Sequence, residues 1–184
     1  MQYCDTIRLK NGKTCILRNA KAEDGQAVLD NFILTHAETD WLSTYPEEIN
    51  FTVEQEAQLM QRKADSDDAI ELIAVADGRV VGIAGIDPIG RRIKARHRAN
   101  FGISIEKAYW GLGIGDAMTK ACIACAKQAG YTQLELGVYE DNVRARRLYE
   151  KNGFRVFGAI PRAFRLKDGS YHDEIIMAVF FDEA

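Results

Sequence analysis

Nothing in this 184-residue chain approaches the roughly 20 consecutive apolar residues that a membrane-spanning helix requires, so no membrane partner is expected. The opening residues Met1-Gln2-Tyr3-Cys4-Asp5 lack the basic and apolar regions of a secretory signal, and the expected location is cytoplasmic. Charge is nearly balanced: a formal net charge of −3 gives no reason to expect nucleic acid as a partner. The one basic run, Arg91, Arg92, Lys94, Arg96, His97 and Arg98, has no interleaved aromatics for base stacking and reads as a solvated hairpin arm. Cysteine is scarce, four in all. Cys122-x-x-Cys125 has no second Cys or His pair at ligand spacing, and both residues fall on the apolar stripe of an expected helix, where a free thiol packs as a small hydrophobe. No metal is expected. Repeats, low-complexity tracts and linkers are also missing, and 47% apolar with 28% charged residues is ordinary for one globular domain spanning 1–184.

What the chain does have is a close succession of strand and helix signals. Thr6–Leu9 and Thr14–Arg18 flank Lys10-Asn11-Gly12-Lys13 as a β-hairpin. Ala22-Glu23-Asp24 opens a helix with Ala27, Val28, Asn31, Phe32 and Thr35 near helical spacing, and Thr52 caps a second that runs to about Ala64. Ala69–Ala76 and Arg79–Ile86 are apolar strands joined by Asp77-Gly78, a strong hairpin signal. Another strand runs from about Arg98 to Ile105. The stripe from Ile114 through Met118, Cys122 and Cys125 to Ala129 predicts a helix packed on a sheet, closed by Gly130. Leu134, Leu136 and Val138 alternate as a strand, Asn142 caps a helix that ends at Asn152-Gly153, and two final strands meet across Lys167-Asp168-Gly169-Ser170. This order indicates a mixed sheet in one α/β or α+β domain.

Between the fifth strand and its helix lies Trp110-Gly111-Leu112-Gly113-Ile114-Gly115-Asp116. Glycines at alternate positions let the backbone approach a ligand, and the helix that follows adds unpaired first-turn amides and the positive end of its dipole. The segment reads as a phosphate or pyrophosphate cradle. A tight turn whose glycines only permit close packing remains the other reading of these seven residues. Neither a Rossmann fingerprint nor a P-loop is met, because Asp116 stands where a glycine is needed and no Gly-Lys-Ser/Thr follows.

The residues downstream carry a resemblance. Gly113-x-Gly115 opening a helix, then a strand, then Asn142-x-x-Ala145-x-x-Leu148-Tyr149-x-x-x-Gly153-Phe154 resembles the GCN5-related N-acetyltransferase (GNAT) superfamily, over about Ala99–Phe157. The resemblance implies a single-domain mixed, mostly antiparallel sheet with helices on both faces and a splayed central strand pair. It implies transfer of an acetyl group from acetyl-CoA to a primary amine of a small molecule or peptide, by direct attack in a ternary complex. By the same resemblance Trp110, Gly111, Leu112, Gly113, Ile114, Gly115 and Asp116 would hold the coenzyme A pyrophosphate. Ile103 and Ile105 would pair their backbone with the pantetheine arm, Asn142 would hydrogen-bond it, and Tyr149 would face the thioester sulfur as a proton or hydrogen-bond donor. By itself, a helical tyrosine is more often a core residue with a bonded hydroxyl.

Two departures stand against that pattern. Trp110 replaces a Gln or Arg, removing a polar or cationic contact with the phosphates. The strand before the loop carries no carboxylate to serve as base; Glu106, Glu71 and His97 are the nearest titratable groups, each read as surface or structural, and no base is assigned. Acidic and aromatic residues between the first two helices, Glu38, Asp40, Trp41, Tyr45, Glu47 and Glu48, fall where the resemblance places the acceptor wall. Trp41, Tyr45, Glu47 and Glu48 are the candidate acceptor-binding residues and suit a cationic amine; a solvated acidic loop explains the same charges. Tyr171, His172 and Asp173 either close the other side of the site or line a turn. A homodimer paired through a sheet edge is compatible with the resemblance. A non-catalytic acyl-CoA-binding sensor or scaffold is the alternative function, and it would keep the loop without the amine site.

Overall fold

A computed structural model describes residues 1–181. Its eight strands are β1 (Cys4–Arg8), β2 (Thr14–Asn19), β3 (Ile70–Ala76), β4 (Arg79–Pro88), β5 (Arg98–Ile105), β6 (Gln133–Tyr139), β7 (Arg155–Arg165) and β8 (Tyr171–Phe180). The four α-helices are α1 (Gly25–Ala37), α2 (Val53–Ala64), α3 (Ile114–Gln128) and α4 (Val143–Lys151). Local chemistry explains most boundaries. Asp77 and Gly78 both adopt positive φ, 51° and 78°, which is what a two-residue hairpin turn asks of its central pair. Thr52 and Gln55 form a reciprocal capping box on α2, with Gln55 N–H donating to Thr52 Oγ1 at 3.2 Å and Thr52 N–H to Gln55 Oε1 at 2.9 Å.

All strands form one sheet in the order β1-β2-β3-β4-β5-β6-β8-β7. Every neighbouring pair is antiparallel except β5 and β6, whose parallel contact needs the α3 crossover. That contact is short, Arg98↔Gln133 to Asn100↔Glu135. Beyond it the two strands separate, and the expected central splay is present. Edge strand β7 exposes most of its length, including Val156, Phe157 and Ile160.

Helices cover both faces. On one, α3 and α4 set Ile114, Met118, Cys122 and Tyr149 into the larger core with Leu134, Leu136 and Met177. Cys122 and Cys125 are buried there, as the stripe predicts. On the other, α1 and α2 bury Val28 and Met60 on Ile73 and Ile83 in a smaller core. Alternation along β6 divides the faces: Leu134, Leu136 and Val138 enter the larger core, whereas Glu135, Gly137 and Tyr139 look toward the α1–α2 side.

Candidate active site

The segment from Trp110 to Asp116 leaves β5 and becomes the N-terminus of α3. Gly111 and Gly113 hold φ of +80° and +103°, a region that costs an L-residue roughly 1–2 kcal/mol. Gly115 is there for a different reason: an added Cβ would lie 3.1 Å from Leu148 Cδ2 and 3.4 Å from Ile105 Cδ1. The close-packing reading thus holds at Gly115, whereas Gly111 and Gly113 serve the backbone conformation of the loop. Among the described residues, none of the six backbone N–H groups from Gly111 to Asp116 has an acceptor. The loop is tied down instead through its carbonyls, Leu112 C=O accepting from Lys10 N–H at 3.1 Å and Gly113 C=O from Ala117 N–H at 3.2 Å. Unpaired amides at a helix N-terminus form an anion cradle.

Asp116 does not turn its carboxylate into that cradle. It accepts from Lys120 Nζ and Lys151 Nζ, each at 2.9 Å, and from Asn152 Nδ2 at 3.0 Å. Partial burial raises its pKa, but these three donors outweigh burial and hold the carboxyl well below the usual range. The residue thus fastens α3 to α4 and neutralises itself beside the loop.

Trp110 is the departure that the structure accounts for best. Its indole Nε1–H donates to Ile105 C=O at 2.6 Å, and the Arg144 guanidinium lies over its ring at 4.6 Å. The cation missing from position 110 is thereby placed beside the loop by α4, stacked on the tryptophan that replaced it. Lys10, Arg144 and Lys151 all line the cavity here. The signal for Arg144 was available: a basic residue in the first turn of a helix opposes the helix dipole and needs another reason to be there.

Ile103 and Ile105 border the splay. Glu106 N–H donates to Val81 C=O on β4, and Arg98 C=O accepts from Ile89 N–H, so even-numbered residues of β5 direct their backbone groups to β4. Alternation turns those of Phe101, Ile103 and Ile105 toward the gap where β6 has moved away. Ile103 offers both N–H and C=O there. At Ile105 the expectation needs correction, because its carbonyl already serves Trp110 and only its N–H stays open.

Asn142 caps α4, its Oδ1 accepting from Ala145 N–H at 3.1 Å, which leaves Nδ2 without a partner among the described residues. Tyr149 is 8% exposed, held by Phe101 and Phe154 at ring separations of 6.1 and 5.8 Å. Its hydroxyl makes no hydrogen bond among the described residues, and burial pushes its pKa up to about 12. The ring is packed in the core, and Tyr149 is among the residues that line the cavity.

The cavity, about 790 Å³, passes through the sheet at the splay. On the α3–α4 side it is lined by the loop, Asn142, Leu148 and Tyr149; on the other by Thr39, Trp41, Leu42, Tyr139, Phe164 and Glu174. Of the expected acceptor residues, Trp41 reaches it, packed edge-on against Tyr139 at 5.6 Å, while Tyr139 stacks on Phe164 at 3.9 Å. Tyr45, Glu47 and Glu48 do not line it. Tyr45 Oη accepts from Lys167 N–H at 3.0 Å, Glu47 pairs with Lys167 Nζ, and Glu48 Oε2 accepts from Tyr45 N–H at 2.7 Å. These residues strap the α1–α2 connection to the β7–β8 turn, whose far end places His172 Nδ1 3.0 Å from Asp141 Oδ2. A second cavity of about 730 Å³ lies under α2 and shares Leu42, Gly102 and Ser104 with the first.

The titratable groups nearest the loop in sequence are engaged or remote. Glu106 is clamped by both Arg79 nitrogens and by Asn31 Nδ2 at 3.1 Å. Glu71 is paired with Lys63 at 2.6 Å, and the same lysine reaches Asp87 at 2.6 Å. His97 is exposed and outside both cavities. Among the described residues no cluster of side chains could hold a metal ion, and no helix is long and apolar enough to cross a membrane.

The fold has counterparts among known proteins. The acetyltransferase (GNAT) family model matches residues 33–154. The L-amino acid N-acetyltransferase AaaT of Escherichia coli (strain K12) is 28% identical over 164 residues, 89% of this chain and 96% of that protein. An acetyltransferase of the GNAT family from Streptococcus pneumoniae superposes with a TM-score of 0.87 at 28% identity, over 91% of this chain and 99% of that one. A GNAT superfamily phosphinothricin acetyltransferase from Sinorhizobium meliloti, solved in complex with acetyl-CoA, shares the fold with a TM-score of 0.79 at 17% identity, over 95% and 89% of the two chains. With its glycine loop, splayed strands and α4 tyrosine assembled on one cavity, the chain belongs to the GNAT acetyltransferase family and is an acetyl-CoA-dependent N-acetyltransferase.

Proposed function

We propose that the protein transfers the acetyl group of acetyl-CoA to the primary amine of a small molecule, in a ternary complex that the splay makes possible. The observation that carries this is one cavity lined from both faces of the sheet, by the unpaired loop amides on one side and by aromatic and acidic residues on the other. The fit to coenzyme A rests on the six unpaired N–H groups of the loop and the three cations around it. Gly111 to Asp116 would hold the pyrophosphate through their amides, assisted by Lys10, Arg144 and Lys151. The C=O of Ile103 and the N–H of Ile105 would pair with the pantetheine amides, and Asn142 Nδ2 would donate to the same arm. The bound cosubstrate supplies the activated acetyl group.

Tyr149 would donate to the thioester sulfur. A phenol near 12 does not give its proton outright to an ordinary thiolate, whose conjugate acid lies near 8.5. Its role is then a hydrogen bond that strengthens as negative charge reaches the sulfur. The Ile103 N–H, aimed into the gap, would serve the carbonyl oxygen. Holding amine and thioester in line from opposite faces is the larger part of the catalysis. Trp41, Tyr139 and Phe164 with Asp141 and Glu174 suit an amine joined to an apolar body, such as an amino acid, better than a long polycation. The exposed β7 edge supports pairing of two copies.

Thermal-shift measurement with acetyl-CoA, followed by thiol release with a panel of the twenty L-amino acids, spermidine and an alanine-initiated tripeptide, tests the proposal. We expect stabilisation by acetyl-CoA and turnover with amino acids. Stabilisation without thiol release from any amine would establish the sensor reading instead.

A further inference from the structure

We propose that Glu174 is the base that takes the proton from the acceptor amine, and that Gly137 is a glycine in order to admit it. The assignment builds on the acetyl transfer proposed above. Glu174 sits on β8 opposite Tyr139 of β6, so both side chains share the face that looks toward α1 and α2. Its carboxylate leans back across the strand pair and lies over Gly137. A Cβ built on Gly137 would stand 1.9 Å from Glu174 Oε1 and 2.7 Å from its Cδ. Gly137 has no positive φ and makes no turn; it lies inside a regular strand, where glycine is destabilising relative to alanine because it loses more backbone freedom on folding. The one thing its missing side chain provides here is room for that carboxylate.

The carboxylate has no hydrogen-bond or ion-pair partner among the described residues. That distinguishes it from Glu106, Glu71, Glu47 and Glu48, all committed to structural donors. It lines the cavity at the splay, on the face opposite the one from which Tyr149 enters. Tyr139 lies across the strand pair from it, with Asp40, Tyr45 and Asp141 as the other acidic groups about that ring, and His172 on its own strand is already bonded to Asp141. None is a cation free to neutralise it, and the apolar neighbours on β7, Ile160 and Phe164, carry no charge. An ammonium entering past Trp41 and Tyr139 meets one unpaired carboxylate.

The step balances. Glu174 takes one proton from the ammonium, giving a neutral amine whose lone pair forms the C–N bond to the acetyl carbon. The C–S bond breaks, its electrons leave on sulfur beneath the Tyr149 hydroxyl, and the second nitrogen proton ends on the thiol through solvent. Glu174 returns its proton to water.

The test uses acetyl-CoA with the fastest amine of the panel above. Wild type is expected to hold a flat kcat/KM from about pH 6.5 to 9. In Glu174→Gln, which keeps the shape over Gly137, kcat/KM should fall about 100-fold at pH 7 and then rise tenfold per pH unit, following the free amine. Its acetyl-CoA affinity and melting temperature should stay at wild-type values, which a merely structural residue would not allow. Gly137→Ala should lower wild-type kcat/KM about tenfold and have no effect in a Glu174→Ala background. A flat pH profile in Glu174→Gln, or an equal cost of Gly137→Ala in both backgrounds, overturns the assignment while leaving the acetyl transfer intact. Absence of thiol release from wild type with every amine overturns both.

Discussion

The two faces of the sheet are stabilised and used differently. The α3–α4 face is apolar and continuous, with Ile114, Met118, Cys122, Leu134 and Met177 nearly or fully buried and Tyr149 held among packed aromatics. The α1–α2 face has a core of few residues and relies on ion pairs, Arg79–Glu106 and Lys63 with Glu71 and Asp87, and on the Lys167 strap. Rigidity on the first face suits a cosubstrate held by backbone amides, which tolerate no displacement. Polar ties on the second suit an acceptor wall that can differ among relatives while the sheet stays the same.

The sharpest way to break this contrast is to remove a group from the rigid face and watch chemistry alone change. Tyr149→Phe is expected to lower kcat about 100-fold while shifting the Kd for acetyl-CoA less than twofold, measured by thiol release and isothermal titration. The same substitution should be visible in stability at high pH. The folded state keeps the Tyr149 proton to about 12, whereas the unfolded chain releases it near 10. The stabilisation is therefore complete below pH 10 and declines as pH rises toward 12, so the Phe variant should lose less urea stability across that window.

On the other face, Glu106→Ala should act on stability instead of chemistry. Removing a buried carboxylate clamped by Arg79 and Asn31 should cost about 2–3 kcal/mol in urea denaturation. A loss of activity without a loss of stability would show that the pair belongs to the site.

Gly113→Ala probes the junction between loop and helix. A Cβ finds open space there but an unfavourable φ, so we expect about tenfold weaker acetyl-CoA binding with kcat nearly unchanged. The smallest effect belongs to the strap. Glu47→Gln should leave the KM for the preferred amine within twofold, because Glu47 faces Lys167 at the exposed surface and not the cavity.

Much of the fold was readable from local signals because they are strong here: the Asp77-Gly78 turn, the Thr52 capping box, the α3 stripe and the Asn142 cap each lie where the sequence puts them. The loop was readable for the same reason, since Gly111, Gly113 and the helix start are neighbours in the chain. Glu174 was not, and Arg144 showed only as a cation set against its helix dipole, with nothing nearby in the chain to explain it. Arg144 matters only because it stacks on Trp110, 34 positions earlier, and Glu174 only because it lies over Gly137 on an adjacent strand. Glu47 falls outside the cavity for the converse reason, as its partner Lys167 lies 120 positions away in the chain, while Glu48 is spent on the nearby Tyr45 N–H.

By itself, then, the sequence determined the succession of strands and helices, the anion loop and the tyrosine beyond it, because each depends on residues within one or two turns of one another. The tertiary structure alone decided which carboxylates are spent on ion pairs, which carbonyl Trp110 occupies, and which acid stands free on the acceptor side. Those choices depend on side-chain contacts between strands and helices distant in the chain, and such contacts exist only once the sheet has closed and its two middle strands have parted.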